Sequence, residues 1–164
     1  MRPTPLRANA RRRPACRGFT LIELLCALSV LAILAVAAAP SFAALIAGQR
    51  VRSASLDLAS ALVLARSEAV KRNATVALAP AGAAWTAGWT VSAGAETVRS
   101  FGPYGGLTIT PSAAGGLALG NDGRLTGAAM TFELAPSGET AATARVCVQV
   151  SETGRIASTT GACT

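Results

Sequence analysis

The cysteines are the first side chains in this sequence whose positions suggest chemistry. Cys147 and Cys163 lie near the C-terminus with 15 residues between them, whereas Cys16 and Cys26 lie before and within a long apolar stretch. If the C-terminal part is exported to an oxidising compartment, we expect its two cysteines to form a disulfide, which would stabilise the fold by roughly 3 kcal/mol. The alternative is that both remain unpaired and fill small buried spaces.

Side chains that commonly catalyse reactions or bind metals are rare in the chain. It has no histidine, and Lys71 is its one lysine, which excludes histidine acid–base chemistry and histidine metal ligation. A P-loop is excluded as well, because its lysine must follow glycine and Lys71 follows Val70. Asp122, in an Asn-Asp-Gly sequence, is more typical of a turn than of a calcium loop. We therefore expect no enzyme, no cofactor and no metal site.

Glu23 is the acidic residue whose position requires an explanation. It directly precedes 26 residues without a charge, from Leu24 to Gln49. Such a stretch is long enough for a helix that spans the ~30 Å hydrocarbon core of a bilayer. A carboxylate in that core costs several kcal/mol unless another group compensates its charge.

Three interpretations of residues 1–42 are open, and they differ in how the chain is processed. An ordinary signal peptide would be cleaved at Ala35–Ala37, and a lipoprotein signal would use Cys26, although leucines precede it where small residues are needed. A prepilin-type leader would instead be cut on the cytoplasmic side of the membrane, after Gly18. Under the first two interpretations Glu23 is a defect, and under the third it has a physical role.

That role is the compensation of a new terminal charge. Cleavage after Gly18 would expose the α-amino group of Phe19, which is cationic or nearly so at neutral pH. In a filament, Glu23 would pair with the Phe19 amine of a neighbouring subunit, so that both charges are compensated. Buried ion pairs are better explained as devices that fix register than as sources of stability.

Arginines are concentrated at the N-terminus. Six of them precede Gly18 without a single acid, whereas the rest of the chain has nine basic and eight acidic residues. This distribution is typical of the positive-inside signal of a membrane segment. It argues against a basic nucleic-acid-binding surface spread over the whole protein.

One long helix is predicted for residues 19–74, with its transmembrane part at about 22–46. Beyond the apolar stretch, five residues recur at helical spacing and form one apolar face: Val51, Leu58, Leu62, Ala65 and Ala69. Pro40 removes a hydrogen bond inside this helix, and we expect it to kink or loosen the helix.

Residues 75–164 are predicted to form a globular head. Short runs of β-forming residues, separated by turns with Gly, Pro or Asn, cover 75–79, 88–93, 96–101, 107–111, 130–134, 144–150 and 154–158. Regular short strands with such turns indicate an antiparallel β-sandwich. Trp85 and Trp89 are expected to be core and rim anchors of the sandwich. The predicted fold class is therefore α+β, preceded by a leader at residues 1–18.

The residues from Gly18 to Glu23, GFTLIE, follow an arginine-rich leader and precede an apolar run. They resemble the signature of type IV pilins and type II secretion pseudopilins. The resemblance implies that a prepilin peptidase cleaves after Gly18 and methylates the amine of Phe19. Pro40 also matches the proline at which pilin helices loosen during assembly.

Further segments, ARSEAVKRN at 65–73, WTAGWTV at 85–91 and VCVQVSETGRI at 146–156, resemble the GspH/FimT family of minor pseudopilins. This resemblance implies a β-sandwich head on a pilin-like N-terminal helix. It also implies a low-copy subunit that sits at the tip of a filament beside other minor pseudopilins.

The resemblance implies one of two related functions. The favoured one is a minor pseudopilin of the type II secretion system, whose tip complex primes a pseudopilus for protein export across the outer membrane; the alternative is a minor pilin of a type IV pilus. In both, a single-pass helix lies in the bacterial inner membrane and the head in the periplasm. The implied partners are other minor and major pseudopilins or pilins, the prepilin peptidase/methyltransferase and the inner-membrane assembly platform.

DNA binding in natural transformation is a less favoured function. Some FimT-like proteins bind DNA through a C-terminal Gly-Arg-x-Arg motif; here Gly154 and Arg155 match, but Ala157 replaces the second arginine. Beyond Ala74 the chain has four basic and five acidic residues, whereas DNA binding depends on several phosphate contacts from Lys and Arg. We therefore expect no nucleic-acid partner and a turn role for Arg155.

Overall fold

The structure, a computed structural model, describes residues 19–138 and 144–164. The predicted leader at 1–18 lies outside the described residues, as does Glu139. The chain divides into two compact units, one that ends at Ala39 and one that runs from Pro40 to Thr164.

A single helix, α1, runs from Leu21 to Arg72 over 52 residues, which confirms the long N-terminal helix expected from the sequence. The residue that follows it, Asn73, has a φ of 49°. The N–H groups of Asn73 and Ala74 donate to the carbonyls of Val70 and Ala69. This is the hydrogen-bond pattern of a Schellman motif, which satisfies carbonyls left over at the end of a helix.

Eight strands follow α1 in chain order: β1 (Val76–Pro80), β2 (Trp89–Ala93), β3 (Glu96–Phe101), β4 (Leu107–Pro111), β5 (Leu117–Leu119), β6 (Met130–Pro136), β7 (Val146–Val150) and β8 (Ile156–Thr160). A short 3-10 turn at Trp85–Ala87 lies between β1 and β2. The strands form two four-stranded sheets, with the orders β3-β2-β1-β5 and β4-β6-β7-β8. All pairings within them are antiparallel, which confirms the predicted sheet type.

The predicted strand limits agree best where turns are strongest. β3 and β4 coincide with the predicted runs 96–101 and 107–111. β7 begins at Val146, two residues later than expected, and β5 was not predicted. β5 has only three residues and is held by its pairing with β1, a contact between distant parts of the chain that leaves no local pattern.

The second half of α1 and both sheets share one core. The five helix residues that were expected to form an apolar face are all fully buried. Burial of each leucine side chain among them contributes about 1.5–3 kcal/mol relative to an exposed position. The second half of the helix is therefore an integral part of the head.

Aromatic rings fill the centre of this core. Trp85 and Trp89 are both buried, so both are core anchors and neither lies at the rim. The Trp85 ring meets Phe132 edge-on with centroids 4.7 Å apart, and the Trp89 ring stacks on Tyr104 with centroids 4.6 Å apart. Such geometries add to the free energy gained from burial alone.

Candidate assembly site

The N-terminal turn of α1 holds the residues predicted for processing and assembly. Thr20 Oγ1 accepts a hydrogen bond of 3.2 Å from the backbone N–H of Glu23. Thr20 thus caps the helix, and Glu23 stands three residues later, as in a capping box. Phe19 is 70% exposed, while Gly18 lies outside the described residues. Our sequence reasoning missed the cap, although Thr-x-x-Glu before an apolar run is its signal.

Glu23 is an exposed acid in the first turn of α1. The helix dipole stabilises a negative charge at this position by about 0.3–1 kcal/mol, which is similar to the strength of a surface ion pair. None of the salt bridges among residues 19–138 and 144–164 includes Glu23. Its carboxylate is therefore available to a cation from another molecule. The pairing with the Phe19 amine of a neighbouring subunit stays a prediction.

The first half of α1 has the properties of a membrane anchor. The helix is long and apolar enough to cross a membrane. The apolar side chains of this half are not buried within the described protein; Ile33 and Val36, for example, are 70% and 76% exposed. A helix that is apolar on all sides must be covered by protein or by lipid.

Pro40 lies inside α1, and helix continues on both sides of it. Proline has no N–H, so one hydrogen bond of the helical ladder is absent at this residue. The boundary between the two compact units falls between Ala39 and Pro40. The loosening of the helix at Pro40 during assembly stays a prediction.

Arg72 fastens the last turn of α1 to strand β3. Its Nε donates to Glu68 Oε2 at 2.6 Å, and its Nη1 and Nη2 donate to Glu96 Oε2 and Oε1 at 2.6 and 3.1 Å. The hydrogen bonds from Arg72 lower the pKa of both carboxyl groups, and the bonds to Glu96 and Glu68 raise the pKa of Arg72. Because the side chain of Glu96 is 63% exposed, water screens much of its attraction to Arg72, whereas Glu68, at 12%, is screened less.

Arg66 joins α1 to two turns of the head. Its Nη1 donates to the carbonyl oxygen of Gly154 at 3.0 Å. Gly154, with a φ of 73°, packs directly against the carbonyl of Gly123 in the preceding turn. The N–H of Leu125 also donates to Glu152 O at 3.0 Å. The turns at 120–124 and 151–155 therefore form one junction on the helix, which sequence reasoning did not find.

The backbone of Arg155 belongs to the turn at 151–155, and the role of its side chain stays a prediction. Its backbone N–H donates to Ser151 Oγ at 3.2 Å, and its carbonyl accepts a hydrogen bond of 2.9 Å from the Ser151 N–H. Its side chain lines a groove of about 230 Å³ beside Thr131 and Gln149. Within the described part of the chain, that groove has no second cationic side chain, so the paired arginines of the DNA-binding motif are not assembled here.

The predicted disulfide between Cys147 and Cys163 is confirmed, with Cα atoms 5.1 Å apart. Glu133 stands beside it: one carboxylate oxygen accepts the backbone N–H of Cys163 at 3.3 Å, and the other accepts Arg145 Nη1 at 2.7 Å. Cys26 is an exposed free thiol. The bridge and its polar neighbours fix the C-terminus to the second sheet.

The described residues contain no group of three or more His, Cys, Asp or Glu that could hold a metal ion. Asp122 Oδ1 accepts the backbone N–H of Arg124 at 3.0 Å, a bond that stabilises the turn locally.

Comparison with known proteins agrees with this geometry. Residues 54–154 match the model of the family described as type II transport protein GspH, and residues 13–39 match the prokaryotic N-terminal methylation motif. A search of curated proteins finds no match.

Two crystal structures of the type IV minor pilin FimU from Pseudomonas aeruginosa are similar to the chain. The structure in space group P21 has a TM-score of 0.59 at 23% identity and covers 66% of this chain and 87% of its own. The structure in space group P65 has a TM-score of 0.57 at 24% identity, with 66% and 91% covered. At this identity the likeness establishes a pilin-like fold. Because the GspH model also covers more than half of the chain, this protein belongs to the GspH family of minor pseudopilins and pilins, whose fold is that of structural subunits and not of enzymes.

Proposed function

We propose that the protein is a minor pseudopilin of the type II secretion system. The observation that carries this proposal is the match of residues 54–154 to the family described as type II transport protein GspH. In this function the subunit joins a tip complex that primes a pseudopilus, which exports proteins across the outer membrane. Its partners are other minor and major pseudopilins, which it meets through α1, and the inner-membrane assembly platform.

The proposal places α1 in the bacterial inner membrane and the head in the periplasm. The arginine-rich N-terminus supports this orientation, because positive residues favour the cytoplasmic side. The disulfide supports it too, because such bonds persist in oxidising compartments. The prepilin peptidase then cuts after Gly18 and methylates Phe19, and Glu23 pairs with the amine of the next subunit.

Deletion of the gene in its own bacterium tests the proposal. We expect exported enzymes to accumulate in the periplasm and to disappear from the medium, and the wild-type gene to restore them. A Gly18→Ala variant should remain unprocessed and should migrate more slowly on a gel, because the leader stays attached. Normal secretion in the deletion strain would overturn the secretion role.

A minor pilin of a type IV pilus is the second candidate, and the similarity to FimU favours it. The same deletion strain separates the two, because this function predicts loss of surface pili and of twitching with secretion unchanged. Both functions use α1 for assembly and the head for contacts at the tip, so they differ in partner subunits and not in mechanism.

A further inference from the structure

A polar groove lies between helix α1 and strand β8, the last strand of the head. It has a volume of about 340 Å³, and its walls include Gly48 and Arg52 of α1 and, on the side of the second sheet, Arg145, Ser158 and Thr160. No acidic side chain is among the described residues that line it. The groove therefore offers cations and hydroxyl groups, which suit a negatively charged ligand.

The groove exists because the core of the head opens at the end of β8. Ser158 pairs with Val148, and Thr160 pairs with Val146. Directly paired residues of neighbouring strands point to the same face of a sheet. Val148 is fully buried, whereas Ser158 and Thr160 are exposed. Two hydroxyl groups thus continue the core face of the sheet and stand open beside the helix.

The positive charge of the groove is compensated only in part by the described protein. None of the salt bridges among residues 19–138 and 144–164 includes Arg52. Arg145, by contrast, donates to Glu133 at 2.7 Å. Arg52 is therefore the cation that the groove offers to a ligand most directly.

The groove lies at the level of the lipid headgroups. The predicted transmembrane part of α1 ends at about residue 46, and the polar layer on each side of the hydrocarbon core is ~5–7 Å deep. With a rise of ~1.5 Å per residue, Gly48 lies about 3 Å and Arg52 about 9 Å beyond that end. Side chains of a helix lean toward its N-terminus, so the long side chain of Arg52 can return its charge into the polar layer.

A second groove continues the first one toward the hydrocarbon core. It has a volume of about 520 Å³, shares Gly48, Arg52 and Ala144 with the first groove, and extends along α1 to Ala44 and Leu45. The two grooves together have a charged end among the headgroups and an apolar end beside the transmembrane part of the helix. This is the polarity of a phospholipid, which carries a phosphate at one end and acyl chains at the other.

An extended segment of another protein is the other occupant that the shape admits, because β8 is an edge strand of its sheet. Such a segment could pair with β8, but it has no reason to continue along the second groove. Its backbone groups would lose their hydrogen bonds in the hydrocarbon core. The continuity of the two grooves therefore favours a lipid.

We propose that the groove binds the headgroup of an anionic phospholipid from the periplasmic leaflet. The phosphate accepts hydrogen bonds from Arg52 and from the hydroxyl groups of Ser158 and Thr160, and one acyl chain lies along α1 at Ala44 and Leu45. The bound lipid holds the β8 side of the head against the membrane surface. The inference rests on the proposed function in one respect, namely that α1 lies in a membrane with the head on its outer side.

A photoreactive lipid tests where the headgroup lies. The full-length protein is placed in nanodiscs of phosphatidylcholine that contain phosphatidylglycerol with a diazirine on its headgroup, and the illuminated protein is mapped by mass spectrometry after proteolysis. We expect cross-links to residues 158–160 of β8. Phosphatidylcholine with the same diazirine should label these residues at least about fivefold less, because its headgroup has no net charge. Cross-links that are confined to α1, or equal labelling by the two lipids, would overturn the proposal.

Two arginine variants separate a defined site from general attraction to an anionic surface. Arg50 and Arg52 lie at similar depth but differ in direction by ~200°, and Arg50 lines a different groove, beside Tyr104. We expect Arg52→Gln to reduce the labelling of residues 158–160 at least about fivefold and Arg50→Gln to leave it unchanged. Circular dichroism establishes that both variants are folded. An equal loss in the two variants would reject the site.

Soluble competitors identify the kind of ligand. Inorganic phosphate and a six-residue peptide of alternating Val and Glu are each added in large excess over the photoreactive lipid, with sodium chloride of equal ionic strength as the control. We expect neither to lower the labelling of β8 below that control, since neither combines a charge with an acyl chain. A loss with phosphate would make this a site for the free anion, and a loss with the peptide would make it a site for an extended protein segment. Either loss would overturn the choice of a lipid.

Failure of this inference is distinguishable from failure of the proposed function. If gene deletion leaves secretion and piliation intact, the proposed function fails, and the cross-links to β8 still stand. If deletion blocks secretion and phosphatidylglycerol does not label β8, the inference alone is rejected.

Discussion

Tyr104 donates a hydrogen bond from its hydroxyl group to Oδ2 of Asp57 at a distance of 3.0 Å. Asp57 lies on α1, 47 residues earlier in the chain, and the tyrosine ring stacks on the buried Trp89. The pair therefore ties the helix to the loop between β3 and β4 through one polar bond and one aromatic contact.

The ionisation of Tyr104 is the first testable consequence. Burial raises the pKa of Tyr104 well above its ordinary value of 10.0, and the hydrogen bond to Asp57 and the charge of that carboxylate raise it further. Because the pKa is raised in the folded state, the associated stability is fully present below pH ~10 and is lost as the pH rises above it. The chain has one tyrosine, so tyrosinate absorbance in the ultraviolet reports this residue alone.

We expect the folded protein to show little tyrosinate at pH values where the urea-unfolded protein is half ionised. Asp57→Asn should lower the pKa of Tyr104 only in part, because burial, the largest cause, remains. If Tyr104 ionises over the same pH range in the folded and the unfolded protein, its burial and its hydrogen bond to Asp57 are contradicted.

The ion pairs of Arg72 with Glu68 and Glu96 are expected to stabilise the protein at neutral pH and to be lost in acid. Since Arg72 lowers the pKa of Glu68 and Glu96 in the folded state, its contribution is present above the ordinary carboxyl pKa of 4.5 and is lost as the pH falls through the lowered values. Arg72→Gln should therefore destabilise the protein at pH ~7 by more than at pH ~3. Urea unfolding at both pH values measures this. Arg124→Gln is the control, and an equal loss in Arg72→Gln at both pH values would count against the interaction.

Gly154 tests the junction of turns on α1. Its φ of 73° favours glycine, and a Cβ atom would collide with the carbonyl oxygen of Gly123. Gly154→Ala should destabilise the head by about 2 kcal/mol or more. Gly105→Ala is the matched control, because a Cβ there meets no atom within 4 Å. Similar thermal midpoints for the two variants would show that the close approach has no energetic weight.

The disulfide predicts a measurable loss on its removal. Cys147 and Cys163 are 16 positions apart, and replacement of both by serine should lower the free energy of unfolding by roughly 3 kcal/mol. Guanidinium unfolding of the wild type with and without a reductant provides the comparison. If the reductant lowers the free energy of unfolding of the serine variant as much as that of the wild type, its effect on the wild type does not come from the disulfide.

Glu23 tests the proposed pairing between subunits. Glu23→Ala retains the backbone N–H that Thr20 caps, so membrane insertion and cleavage should be normal. Incorporation into filaments should fall strongly, because the terminal amine of the neighbouring subunit loses its counter-ion. N-terminal sequencing and the ratio of sheared filament to membrane protein give the two readouts. Normal filament content in this variant would remove the register role.

Local patterns accounted for most of the fold. The spacing of Val51, Leu58 and Leu62 identified the buried face of α1 because helical periodicity depends only on neighbours in sequence. β3 and β4 were predicted at their observed limits because turns bound them on both sides. β5 and the order of the sheets depend on pairings between distant segments, which one sequence does not reveal.

The candidate site shows the same division. The two C-terminal cysteines and the signature at Glu23 were recognisable from residue type and spacing. The contact from Arg66 to Gly154 joins residues 88 positions apart, and one of its partners is a backbone carbonyl, which every residue has. Such a bond has no sequence signal, although the helix that positions Arg66 does.

Strand β8 is fixed at both of its ends, at the 151–155 turn by hydrogen bonds and at Cys163 by a covalent link to β7. Residues 148–162 lie inside the loop that the disulfide closes. A tensile load applied at Cys163 therefore passes through the covalent link into Cys147 and does not peel β8 from β7 one pair at a time.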